Sequence, residues 1–330
     1  MSFLYARKLD DRIYVLADTK ISYDTIESDI IIKAIGRENE YLLRNYGIIK
    51  NVIINRDICV GFAGSIRDFN ELLEYIDNNK ITSIEDINEK ALEIHLKNRQ
   101  ETDFIISQCN AATKKLYVVK DEKIKECDSC WIGSKKCFDS FQEKRYKMPP
   151  PKVYDLETKK DIELNDNDGV WINDSEVFKN VVNSNIDNSV GLFTIRCLGN
   201  KDGFKYFEEM STYQGFKPYE IKPGESALLY EDTANGGYTY FMYESNEYVN
   251  MYIDQLGKGI VFKPSLAEDD YNHLRFPTIE KIGVEKFVEN YGLKKSSIQI
   301  IKNWFENNIY FYCYKSHHIL GGFYILVVNY

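Results

Sequence analysis

Short apolar runs separated by polar turns open the chain. Phe3-Leu4-Tyr5-Ala6 and Ile13-Tyr14-Val15-Leu16-Ala17 flank the turn Leu9-Asp10-Asp11-Arg12, which predicts a hairpin running directly into Asp18. A strand that starts at the second residue needs an anchor, because chain ends fray unless something ties them down. The pattern blurs through about residue 47 and resumes with Val52-Ile53-Ile54, a turn at Asn55-Arg56-Asp57, and Ile58-Cys59-Val60-Gly61-Phe62, a second hairpin. Ala63-Gly64 ends that strand. Ser65, with Asp68 three residues on, then reads as a helix cap followed by an acid in the first turn. Ile66, Phe69, Leu72, Leu73 and Ile76 follow at helical spacing.

A second helix is predicted from Ser83 to about Asn98, then strands at Phe104–Ile106 and Leu116–Val119. Trp131-Ile132-Gly133-Ser134 leads into a short helix. Met148-Pro-Pro-Pro151 is a loop, and Leu164 to Gly169 is polar and turn-rich. A helix from Ser175 to Val182 precedes strands at Gly191–Leu198 and Lys205–Phe207. The remainder is rich in tyrosine, with a β-type run at Tyr238–Tyr243. Helices are expected at Ile279–Tyr291 and Ser296–Asn307, and a last strand at Phe323–Val328. Two hairpins, two helices, strands, two helices and strands again do not make the βαβα alternation of a parallel sheet. The order fits antiparallel sheets packed on each other with helices outside.

Composition narrows the function. A net charge of -9 without a clustered Lys/Arg patch argues against a nucleic-acid partner. The longest apolar stretch, His318 to Val328, is too short for a membrane span and is broken by Gly321-Gly322. The first residues lack the basic and apolar regions of a signal peptide, so a cytoplasmic location is expected. Seven cysteines, an odd number, fit reduced thiols. Cys127-x-x-Cys130 with Cys137 behind it lacks a fourth nearby zinc ligand, so neither metal nor cofactor is expected.

The candidate chemistry lies in a spaced set. Ser2 precedes Asp18 by sixteen residues, within Ala17-Asp-Thr-Lys-Ile-Ser22. Lys50 precedes Gly64 by fourteen, within Ala63-Gly64-Ser65-Ile-Arg-Asp68. A serine hydroxyl is a weak nucleophile until a base takes its proton. If Met1 is removed, the α-amine of Ser2, with an ordinary pKa near 8, can be that base. A nearby Lys50 ammonium lowers the amine's pKa, and Asp18 keeps Lys50 charged and oriented. The N–H of Gly64, at a helix entrance, suits an oxyanion. Taken singly, these residues read as a small residue that permits Met removal, a strand end, a surface lysine and a helix start. The spacing is what joins them.

This set resembles the proteasome β-subunit branch of the N-terminal nucleophile hydrolases. That family begins with its nucleophile, carries Ala-Asp-x-Arg-x-Thr after its first hairpin, and places a lysine fourteen residues before the glycine of Ala-Gly-Ser-x-x-Asp. Trp131-Ile-Gly-Ser134 resembles the family's later Gly-Ser segment, so the likeness extends over residues 2 to about 200. It implies an α+β four-layer αββα sandwich of mostly antiparallel sheets over residues 1–245, with an insertion at about 23–47. A C-terminal α/β extension, 246–330, is expected to pack on it. It implies an amide-bond hydrolase, a peptidase with catalytic Ser2, Asp18, Lys50, Gly64 and Ser134 acting on a peptide or amide substrate.

The chain departs from the family in three places. Its nucleophile is serine where the family usually has threonine. The stretch from Asp18 to Lys50 is longer than the family norm. The family's later aspartate, serine and glycine are echoed by Asp187, Ser189 and Gly191 at altered spacing, with Asn188 as a competing match. These leave two alternatives: a small-amide acylase, and a catalytically inactive binding or scaffold subunit. Family members form rings. Here Arg67, Asp68, Glu71, Glu74 and Asp77 predict a mostly acidic outer helix face, which favours a protein partner or a small homo-oligomer.

Overall fold

The structure, a computed structural model, describes residues 2–21, 47–99, 101–147, 152–155, 160–162 and 164–206. It also describes 209–212, 239–242, 249–253, 258–262, 277–281, 286, 312–316 and 322–327. Most of the expected insertion at 23–47 therefore lies outside the described residues. The protein is α+β, and every strand pairing among the described residues is antiparallel.

Both predicted hairpins form. β1 (Phe3–Lys8) and β2 (Ile13–Asp18) pair with Tyr5 opposite Leu16, and the turn closes through Leu9 N–H to the Arg12 carbonyl at 2.8 Å. β3 (Asn51–Asn55) and β4 (Ile58–Ala63) are joined by a turn that Asn55 organises. Its side-chain oxygen accepts from the N–H groups of Asp57 at 2.9 Å and Ile58 at 3.0 Å, the local bonding that makes asparagine a turn residue.

Next come α1 (Ile66–Asn78), α2 (Ile84–Lys97), β5 (Asp103–Cys109), β6 (Lys114–Lys120), β7 (Lys123–Glu126) and β8 (Ser129–Gly133). Then follow α3 (Lys135–Lys147), β9 (Lys152–Asp155), β10 (Lys160–Ile162), α4 (Asp166–Val182), β11 (Thr194–Asn200) and β12 (Gly203–Tyr206). One sheet has the order β12-β11-β2-β1-β8 and a second the order β3-β4-β5-β6-β7.

Side-chain alternation on β1 and β2 gives the first sheet two apolar faces. Leu4, Ala6, Val15 and Ala17 join one core with the second sheet and with Phe69, Leu72 and Leu73 of α1 and Ile87 of α2. Phe3, Tyr5, Tyr14 and Leu16 point the other way, into a core with Phe141 of α3 and Trp171 and Phe178 of α4. Asn51 ties the two sheets together. Its buried amide donates to the Val15 carbonyl at 3.1 Å and the Ile195 carbonyl at 3.2 Å.

A third sheet has the order β10-β9-β19-β18-β13-β14-β15-β16-β17. Its remaining strands are β13 (Glu209–Thr212), β14 (Thr239–Met242), β15 (Val249–Ile253), β16 (Lys258–Phe262), β17 (Pro277–Lys281), β18 (Tyr312–Ser316) and β19 (Gly322–Val327). It has strands on both sides of residue 245, with β14 paired to β15.

Three local expectations are corrected. Ile279–Lys281 is strand, pairing with Lys258–Ile260, where a helix was expected to start; the remainder of that helix, apart from position 286, and the one at 296–307 lie outside the described residues. The segment from Asp166 to Gly169 is not a loop but the first turn of α4, because Asn165 accepts from the Asp168 N–H at 2.8 Å and caps it. Asp68 does not face outward. It is buried, accepting from Thr102 Oγ1 at 2.7 Å and Asn98 Nδ2 at 2.7 Å.

Asp174 is the ionic centre of the α4 core. It is fully buried, accepts from the Tyr14 hydroxyl at 2.5 Å, and pairs with Arg145 Nε at 2.7 Å and Arg7 at 3.5 Å. Removing one partner of a buried pair leaves an uncompensated charge. Asp174→Ala is expected to cost about 3–5 kcal/mol in urea unfolding; a loss under about 1 kcal/mol, the scale of an exposed pair, would contradict this role.

Candidate active site

Asp18 sits at the end of β2 with no exposure to solvent, and both carboxylate oxygens are engaged. Oδ1 accepts from the Phe3 N–H at 2.9 Å and from Lys50 Nζ at 2.9 Å; Oδ2 accepts from the Gly191 N–H at 3.2 Å. The carboxylate thus fixes the start of β1, the lysine ahead of β3 and the segment ahead of β11. This is the anchor that a strand beginning at residue 3 requires.

Lys50 is also buried, and its ammonium donates to the Lys20 carbonyl as well. Burial pushes its pKa below the ordinary lysine value. The Asp18 carboxylate opposes that shift and the Lys20 ammonium adds to it. The Asp18 oxygen that takes this ammonium is the one that also takes the Phe3 N–H.

The carbonyl of Ser2 accepts from the Ser134 N–H at 2.7 Å, where β8 passes into α3. Gly133, with φ +89, makes that approach feasible: a Cβ there would lie 2.0 Å from the Ser2 oxygen and 3.2 Å from the Ala63 Cβ. Gly133 thus lies between the Ser2 carbonyl and Ala63 at the end of β4, the residue before Gly64. Gly64 is exposed, with φ +140, and a Cβ on it would strike the Glu101 carbonyl at 2.2 Å. The following residue is held by Thr102, whose hydroxyl accepts from the Ser65 N–H at 2.9 Å and donates to Asp68. Ser65 occupies the cap position of α1 without its hydroxyl capping, so Thr102 and Asp68 do the anchoring there.

Ser134 extends the site to the segment after α4. Its hydroxyl donates to Asp187 Oδ2 at 2.6 Å and accepts from the Cys137 N–H at 3.2 Å. Ser189 donates to Asp187 Oδ1 at 2.5 Å. Burial alone would raise the Asp187 carboxyl, but the Ser134 and Ser189 bonds hold it below the ordinary range.

The Ser2-Phe3 backbone, Asp18, Lys50 and Ser134 are thus joined by hydrogen bonds, with Ala63 beside Gly133; Gly64 is held on the far side by Glu101 and Thr102. Between the two carboxamide/carboxylate candidates, Asp187 is the one bonded to Ser134. Asn188 is exposed. Three contributors were not assigned roles from the sequence: the Lys20 carbonyl, the Gly191 N–H and Thr102. Gly191 and Lys20 lay inside segments already singled out, but their use is by backbone atoms, which residue type does not reveal. Among the described residues no group of three or more His, Cys, Asp or Glu could hold a metal ion.

Substituting Asp18 removes a charge and a hydrogen bond that favour the charged form of Lys50, so burial is opposed less. In a 13C NMR titration the Lys50 Cε resonance should therefore inflect below the ordinary lysine pKa, and lower again in Asp18→Asn. An inflection at or above the ordinary value in both proteins would contradict the electrostatics. No model of a known protein family matches the chain and no curated protein matches it, so the reading of this site rests on its own geometry.

Proposed function

We propose that the protein is an amide-bond hydrolase, a proteasome-like peptidase that uses Ser2 as its nucleophile once Met1 is removed. The observation that carries this reading is the buried Asp18 carboxylate shared between Lys50 and the backbone N–H next to Ser2. The pair thereby fixes the peptide unit that follows Ser2. A nucleophile that is also its own base needs its position fixed and a cation close by.

In this mechanism the freed amine of Ser2 takes the hydroxyl proton as Oγ attacks the substrate carbonyl carbon. The Lys50 ammonium disfavours a second positive charge and so keeps the amine neutral and basic. Charge on the tetrahedral oxygen is taken up by the Gly64 N–H. The amine then gives its proton to the leaving nitrogen, the C–N bond breaks, and an ester remains on Ser2. Water, deprotonated by the same amine, hydrolyses that ester. Ser134, steadied by Asp187, positions the Ser2 backbone.

The four-layer αββα sandwich belongs to the same proposal. It is supported by the two apolar faces of the first sheet, one turned to the second sheet and one to α3 and α4. So does the assignment of the chain past residue 245 to an extension, and of the enzyme to the cytoplasm. No helix among the described residues is long and apolar enough to cross a membrane.

Fluorogenic peptide amides test the reading, using the chain that begins at Ser2. Since these groups act as a unit, Ser2→Ala and Lys50→Ala should each lower turnover on the order of 10⁴-fold. A chain keeping Met1 should be equally inactive, because its free amine is on the wrong residue. Equal turnover in all of these proteins would refute the proposal.

A further inference from the structure

The chain crosses from the second sheet to the first between Glu126 and Ser129, and a cysteine stands on each side of that crossing. Cys127 prolongs β7, its N–H donating to the Leu116 carbonyl at 3.0 Å. Cys130 lies in β8 opposite Ala6 of β1. Both cysteines belong to the apolar core that the two sheets share, Cys130 buried in it and Cys127 packed against it with its thiol donating to the Leu116 carbonyl at 3.8 Å, and both are free. Cys137 belongs to the core on the other face of the first sheet.

Access separates this pair from another among the described residues. Cys59 of β4 and Cys197 of β11 touch, but both are fully buried, and burial pushes the Cys197 thiol well up. Thiols in such surroundings are inert. Cys127 is half-buried. The bond from Cys130 favours its thiolate against burial, Lys125 and Lys8 add to that, and Asp128 opposes; the result is a thiol held below its ordinary pKa. Cys130 is only 9% exposed, and its thiol is pushed well up by the bond to Cys127 and by burial. A half-buried cysteine that ionises first, with a shielded partner three residues on, is the arrangement that thiol–disulfide exchange uses.

We propose that Cys127 and Cys130 form a reversible disulfide by exchange with low-molecular-mass disulfides. The Cys127 thiolate attacks one sulfur of RSSR, forming a Cys127–S–S–R bond and expelling RS⁻. Cys130 then loses its proton and attacks the Cys127 sulfur, breaking the mixed bond and expelling the second RS⁻. Two protein thiols are oxidised to one disulfide, one RSSR is reduced to two RSH, and the two protein protons end on the released thiolates. The new bond closes the crossing that leads into β8, the strand that ends at Gly133 and Ser134 against Ser2. This site stands independently of the peptidase reading.

The full chain, incubated with oxidised glutathione, alkylated with iodoacetamide under denaturing conditions and cut after lysine, gives the test. Cleavage at Lys125 and Lys135 leaves both cysteines in the peptide 126–135. That peptide should be two hydrogens lighter and unalkylated, while Cys59 and Cys197 are recovered alkylated. Cys130→Ser should trap glutathione on Cys127, and Cys127→Ser should leave Cys130 alkylated. A doubly alkylated 126–135 peptide, a lasting mixed disulfide in the unsubstituted chain, or glutathione on Cys130 in Cys127→Ser would each overturn the proposal.

Discussion

The buried carboxylate of Asp18 is the constraint on which the site depends. A carboxylate out of water is costly unless its lone pairs are filled, and here a cation and two backbone N–H groups fill them. Those three donors come from the start of β1, from Lys50 and from Gly191, so satisfying one charge aligns three segments far apart in sequence. Lys50 gains in return a carboxylate partner that makes an ammonium tolerable at a position with 1% exposure.

Around that centre the support is mostly backbone. β8 brings the Ser134 N–H to the Ser2 carbonyl only because Gly133 has no side chain to block it. Thr102 and Asp68 fix the turn after Gly64 through a hydroxyl that both accepts and donates. His95 sits behind Thr102, one ring nitrogen 2.8 Å from its carbonyl and the other accepting from the Glu122 N–H at 3.3 Å, so α2 is fastened to the same loop. A rigid scaffold of this kind is what positions a reacting group to within a fraction of an ångström.

Much of this was legible in the sequence. Turn residues such as Asn55 bond locally, so both hairpins could be read, and α1 shows the 3–4 spacing of its buried Phe69, Leu72, Leu73 and Ile76. Asp18 and Lys50 stand out in the sequence by their spacing, and Ser134 by the likeness of its Gly-Ser segment to the family's. The start of α4 was hidden because it buries polar groups: Asp168 pairs with Arg12 at 2.7 Å and Asp174 with Tyr14 and Arg145, partners more than twenty-five residues away that make turn-like letters into core residues. Asp68 was misplaced for the same reason, its partners Asn98 and Thr102 coming from beyond α2. Asp187 could not be told from Asn188 until the Ser134 hydroxyl selected it.

Covalent trapping tests the central claim most directly, that Asp18 and Lys50 make Ser2 the reactive hydroxyl. A chain beginning at Ser2 is treated with a peptidyl β-lactone, which acylates an activated hydroxyl with opening of its ring, and the modified residue is located by mass spectrometry. The account predicts a single acyl ester on Ser2 that is lost in Asp18→Asn. An unmodified Ser2, an ester at some other hydroxyl, or equal labelling with and without Asp18 would contradict it.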